Sequence, residues 1–143
     1  MKWVTRERPK TDRIACPWLI RKFIDPGAEI LYVPRDEVLA VAEHEGAHSF
    51  DAPGAEYTHR GAKCSFETLI DAFDLGGDPA LGRLARIVHA ADVSEDRDSD
   101  PLGACLEAIG TGGLDVEEDD HRLLERGCFV YDALYAWCQR ATV

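Results

Sequence analysis

The sequence has no run of about 18 apolar residues, so a membrane-spanning helix is excluded. No apolar stretch follows Met1-Lys2-Trp3-Val4-Thr5-Arg6, and no secretory signal is expected. None of the five cysteines (Cys16, Cys64, Cys105, Cys128, Cys138) stands at the CxxC spacing of a zinc ribbon or dithiol redox motif. An odd, scattered set fits a reduced, cytoplasmic protein with mostly buried thiols. Positive charge is scarce as well. A net charge of −11 argues against direct nucleic-acid binding. There is no internal repeat.

What is present is enough for one domain spanning residues 1–143. Hydrophobic residues make up 45% of the chain, with three tryptophans to fill a core. The charge is unevenly spread. Residues 1–22 hold seven basic side chains against two acidic ones, a net +5, and the remainder carries −16. A basic start on an acidic body serves as a protomer contact, as an oxyanion site, or simply pairs with the acidic remainder.

Trp3-Val4-Thr5 reads as a strand. Thr11 or Asp12 caps a helix to about Ile24 that is apolar nearly all round, with Pro17 inside it. Glu29–Val33 is a second, mostly apolar strand, expected to be central. Pro34 opens a helix to about Glu45, and Ala47–Asp51 forms a third strand. Further helices are expected over Phe66–Phe73, Pro79–Val93, and Pro101–Ile109 closed by Thr111-Gly112-Gly113. Another runs to Arg126, and Gly127 parts it from a last one, Cys128–Trp137. The fold class is therefore α/β: a small three-stranded, mostly parallel sheet (βαβαβ) followed by a helical C-terminal half.

Polar residues cluster where turns interrupt this pattern. The stretch Phe50–Glu67 brings Asp51, Glu56, His59, Cys64 and Glu67 into a loop rich in glycine and proline. On the Pro79–Val93 helix, Asp92 falls within about 30° of the centre of the Leu81–Leu84–Ala85–Val88 stripe, and His89 flanks it. A carboxylate there is paired, protonated or bound to metal. His89 and Asp92 are either a hydrogen-bonded pair at a helix end or ligands. With Glu56 and His59 they complete a four-ligand N/O set for a divalent iron, manganese or zinc ion. Asp132, the one charged residue between Phe129 and Trp137, is expected to answer Arg13 or Arg21.

Several separate strings carry a family resemblance. They are Trp3-Val4-Thr5-Arg6, Asp12-Arg13-Ile14-Ala15-Cys16-Pro17-Trp18-Leu19-Ile20-Arg21-Lys22-Phe23-Ile24-Asp25-Pro26, and Glu56-Tyr57-Thr58-His59-Arg60-Gly61. Cys64-Ser65-Phe66-Glu67, Ile87-Val88-His89 with Asp92, and Tyr131-Asp132-Ala133-Leu134-Tyr135 add to them. Together these resemble the C-terminal domain of ChrB-type chromate resistance proteins, a bacterial family. Its longer members are thought to regulate chromate efflux through an N-terminal DNA-binding part. The resemblance implies a sensing or accessory role here, and it supplies no reaction.

The expected function is a cytoplasmic, metal- and oxyanion-binding module for chromate resistance. The alternative is a metal-dependent enzyme, redox or hydrolytic, with an open coordination position. Arg6, Arg8, Lys10 and Arg13 are expected to form the oxyanion site at the end of the first strand, for chromate or a phosphate- or sulfate-like group. Cys16 is one turn into the next helix, where the dipole lowers a thiol pKa, and is a candidate redox thiol. The same position also fits apolar packing. The apolar first and last helices and the charge split predict a homodimer.

Overall fold

A computed structural model describes residues 1–142. Its sheet has three parallel strands: β1 (Lys2–Arg6), β2 (Glu29–Val33) and β3 (His48–Ser49), in the order β2-β1-β3. Alternation along β1 serves both faces. Trp3 enters the larger core and Val4 enters a smaller one with Val38, Ala52 and Ala55. The central strand is thus β1, not β2 as its apolar run implied. Trp3, Val4 and Thr5 are fully buried, whereas β2 lies at the edge with Tyr32 and Val33 half-covered.

The helix α1 (Asp12–Leu19) runs on into a wider π-helical turn, Ile20–Ile24. Pro17 does not break it. Lacking an N–H, Pro17 leaves the Arg13 carbonyl without its helical partner, and the Tyr32 hydroxyl donates to that carbonyl at 3.0 Å. Burial on all sides follows from the apolar sequence: α1 packs against α3 (Ser65–Ala72), α4 (Pro79–Asp92) and α6 (Asp120–Ala141). On the opposite face of the sheet, α2 (Val38–Glu45) covers β1 and β3 and stops at Gly46 in the left-handed conformation.

Two helices outrun their glycines. α5 extends from Pro101 to Val116 through Thr111-Gly112-Gly113, and α6 is continuous through Gly127. Helix propensity argued for breaks, and packing overrides it. A Cβ on Gly127 would stand 2.7 Å from Ile14 Cγ2, so glycine is what lets α6 approach α1. The end of α5 is closed by Arg8, whose guanidinium donates to the carbonyls of Leu114 (2.8 Å), Glu117 (2.9 Å) and Glu118 (2.7 Å). Asp132 accepts from Trp18 Nε1 at 2.8 Å and Arg21 pairs with Glu125, so the expected cross-core pair is not formed. Among the described residues no helix is long and apolar enough to cross a membrane.

Candidate metal centre

The order of strand addition reverses between β1 and β3, β2 lying on one side of β1 and β3 on the other. Connections leaving the carboxyl ends of parallel strands at such a point leave a crevice. Three acidic side chains from three elements meet there.

Asp12 begins α1. Its carboxylate is fully buried and accepts from the backbone N–H groups of Ser65 (2.8 Å) and Phe66 (3.2 Å), capping α3 from outside that helix. Asp51 follows β3 with φ at 46°, a left-handed conformation that costs a non-glycine residue about 1–3 kcal/mol. Several bonds hold it. Its N–H donates to the Tyr57 carbonyl (2.9 Å), its carbonyl accepts from Arg6 Nε (2.8 Å), and its Oδ1 accepts from Ser65 Oγ (2.7 Å). Asp92 closes α4.

His59 arrives from the loop between β3 and α3, just before a tight turn over Arg60–Lys63. Its Nε2 lies 3.0 Å from Asp92 Oδ2, 3.5 Å from Asp12 Oδ2 and 3.6 Å from Asp51 Oδ1. One donor atom each from Asp12, His59 and Asp92 all lie within 4.8 Å of one another. Donors bound about 2.1 Å from a common ion stand roughly 3–4 Å apart, and the spacings of His59 from Asp92 and Asp12 match. His59 is 45% exposed, so the cluster is open to solvent on that side.

The electrostatics are those of a crowded anionic site. Burial pushes the Asp12 carboxyl up to about 7, and Asp92 and Asp51 add to the rise against His59. Burial, then Asp51, raises Asp92. Burial alone would raise Asp51 too, but His59, Ser65, Arg6 and Arg13 together hold it below the usual range. Hydrogen bonding to Asp12, then Asp51, lifts the His59 imidazole to about 10. Without a metal, His59 is therefore an imidazolium at neutral pH.

A pH dependence follows. His59 titrates at about 10 in the fold against 6.5 free, so its stabilising charge is complete below 6.5 and lost as pH rises through about 10. Asp12 is raised from 3.8 to about 7, so its neutral form's contribution is lost on the way up through about 7. The Asp12 loss therefore falls between about 3.8 and 7, and the fall above pH 7 belongs to His59. Melting of the metal-free protein is expected to move to lower temperature between pH 7 and pH 10. His59→Gln should flatten that fall, and an unchanged slope in the variant would count against this picture.

The basic loop divides. Arg6 (3.2 Å) and Arg13 (3.5 Å) both reach Asp51 Oδ2. Arg8 goes to the α5–α6 junction, and Lys10 lies 3.6 Å from Glu107 on α5. The four cations thus do not converge on one point. Arg6 lines a cleft of about 260 Å3 with Asp51, Thr58 and His59. Lys10 lines a second, of about 280 Å3, with Asp92 and Arg97.

The expected ligand set is likewise split. His59 and Asp92 meet, but Glu56 is drawn to His48 Nδ1 at 2.9 Å. His89 faces Glu67 through Nδ1 and Asp96 through Nε2 (2.7 Å). Burial works to lower the His89 pKa, but the bonds to Asp96 and Glu67 outweigh it and raise it. Cys16 is fully buried with its Sγ 3.8 Å from Asp12 Oδ1. Burial and that carboxylate push its thiol well up, against the lowering that a helix start predicts. In the sequence Asp12 reads only as a helix cap. The signal that could have found it is that it opens a helix apolar on every side, where its carboxylate has to be buried.

Fold and site define a small α/β domain with a parallel sheet and a carboxylate–histidine centre at its carboxyl edge. The family model described as "ChrB, C-terminal domain" matches residues 3–138, and the chain belongs to that family. It is 37% identical over 134 residues to Protein ChrB of Cupriavidus metallidurans, a match covering 94% of this chain. The chain spans 40% of the length of that relative. No solved structure matches the chain.

Proposed function

We propose that this chain is a chromate-resistance domain that binds a divalent metal through Asp12, His59 and Asp92. The convergence of these three side chains from α1, α4 and the β3–α3 loop carries the reading. Asp12, Asp92 and a neutral His59 present a charge of −2 to a divalent ion, and Arg6 and Arg13 more than neutralise Asp51 beside them. Two carboxylates and one imidazole favour iron, manganese or zinc over a soft ion such as copper(I). The exposed side of His59 leaves a coordination position for water or an oxyanion, with Arg6 in the same cleft. That open position also favours a second reading, a metal-dependent enzyme, which turnover of a substrate would separate from binding alone.

Manganese(II) titration followed by electron paramagnetic resonance tests the site, because manganese favours O/N donors over thiolate. Wild type is expected to bind one ion here. His59→Ala and Asp92→Asn should each weaken it by more than about 100-fold, beyond the usual cost of losing an outer partner. Arg6→Ala should keep the metal and lose chromate or sulfate binding. Equal manganese affinity in all four proteins would remove the site.

A further inference from the structure

A second cluster of metal-ligating side chains lies beside the first and is not used by it. Cys64, Glu67 and His89 each place one donor atom so that all three lie within 4.8 Å of one another. Cys64 is the N-cap of α3, Glu67 is three residues on, and His89 reaches across from α4. We propose that Cys64 Sγ, a Glu67 carboxylate oxygen and His89 Nδ1 form a second metal site, for a borderline divalent ion such as zinc or cobalt(II).

Three observations carry this. First, the cap residue is the wrong type for capping alone. Ser, Thr, Asp and Asn favour that position, and a thiol is a weak acceptor. Here Cys64 sits in a capping box, with Glu67 accepting from the Cys64 N–H at 3.0 Å. A thiol in the place of a hydroxyl caps more weakly and adds a soft ligand.

Second, His89 is oriented as metal-bound histidines are. Its Nε2 faces Asp96 at 2.7 Å, which keeps a proton on that nitrogen, and its Nδ1 faces Glu67 across a shared proton whose loss frees the Nδ1 lone pair for a metal. A ligating histidine characteristically donates its other ring N–H to a carboxylate in this way.

Third, sulfur, nitrogen and oxygen donors together suit zinc and its neighbours, whereas the His59 centre offers only nitrogen and oxygen. Metal entry sends the Cys64 thiol proton and the proton between His89 and Glu67 to solvent. Asp96 lies on the 3-10 turn Ser94–Ser99, so the bound ion would also fix that segment through His89.

The proposal stands whether or not the His59 centre holds metal. The test is cobalt(II) added to the full, reduced, metal-free chain, read by absorption. Thiolate coordination gives a sulfur-to-cobalt charge-transfer band in the near ultraviolet. The band is expected in wild type and in Asp92→Asn, which disables the first centre. It should disappear in Cys64→Ser and fall to a small fraction in His89→Gln. Serine caps a helix as well as cysteine does, so Cys64→Ser should fold, and circular dichroism checks this. No band in wild type would overturn the proposal. So would a band that survives Cys64→Ser, above all one lost in Cys16→Ser, which would put the thiolate at Asp12 instead.

Discussion

Asp12→Ala is expected to destabilise the fold by about 2–4 kcal/mol, seen as a Tm lower by roughly 10 °C, with or without metal. The carboxylate satisfies the Ser65 and Phe66 N–H groups, both at the buried start of α3. Each such donor left unpaired costs about 1–3 kcal/mol. Relief of repulsion from Asp51 and Asp92 offsets part of this, since both act to raise the Asp12 pKa. Asp12→Asn should fall between the two, because its amide NH2 must face one of the same donors. Melting in the presence of a chelator separates this cost from any loss of metal. An alanine variant as stable as wild type would mean that water replaces the carboxylate at α3.

Gly103→Ala carries the second large effect. A Cβ there would stand 2.5 Å from Ala90 Cβ and 2.9 Å from the Ala90 carbonyl carbon. Backbone cannot step aside as the Ile14 side chain can at Gly127, so α5 must move off α4. Overpacking of this kind costs about 1–3 kcal/mol, against roughly 1 kcal/mol gained by replacing a helical glycine. The shift also reaches function. His89 and Asp92 flank Ala90 on the same helix, so displacing α4 there misplaces a donor in each cluster. Manganese affinity should fall by about tenfold or more, and denaturant unfolding should show a net loss of stability. A neutral or stabilising outcome would show that the two helices slide without strain.

Much of this arrangement was legible in the chain. The parallel sheet came from short strands separated by apolar helices, and Asp92 stood out as a charge on an apolar stripe. What stayed hidden was which side chains meet. His89 and Asp92 are three residues apart and share a helix face, yet Asp92 turns toward the start of α1 and His89 toward the start of α3. Glu56 and His59 are equally close in sequence, but they lie in irregular chain where spacing sets no direction, and Glu56 folds back on His48. The glycines misled for a related reason. At Gly127 the role is close helix contact, which depends on a partner far away in sequence.

The same limit applied to the basic loop. Arg6, Arg8, Lys10 and Arg13 are adjacent in sequence. The loop takes positive φ at Arg8 (54°) and Thr11 (50°), and such turns send alternate side chains to different surfaces. Arg6 and Arg13 turn to Asp51, while Arg8 secures the junction of α5 and α6.

One divalent ion is expected to join Asp12, His59 and Asp92. Anomalous scattering from crystals grown with manganese(II) tests it most directly. A single strong peak is expected about 2.0–2.2 Å from His59 Nε2 and from one oxygen of each carboxylate. A fully occupied ion bound elsewhere, with His59 still hydrogen-bonded to Asp92 and no peak between them, would contradict it.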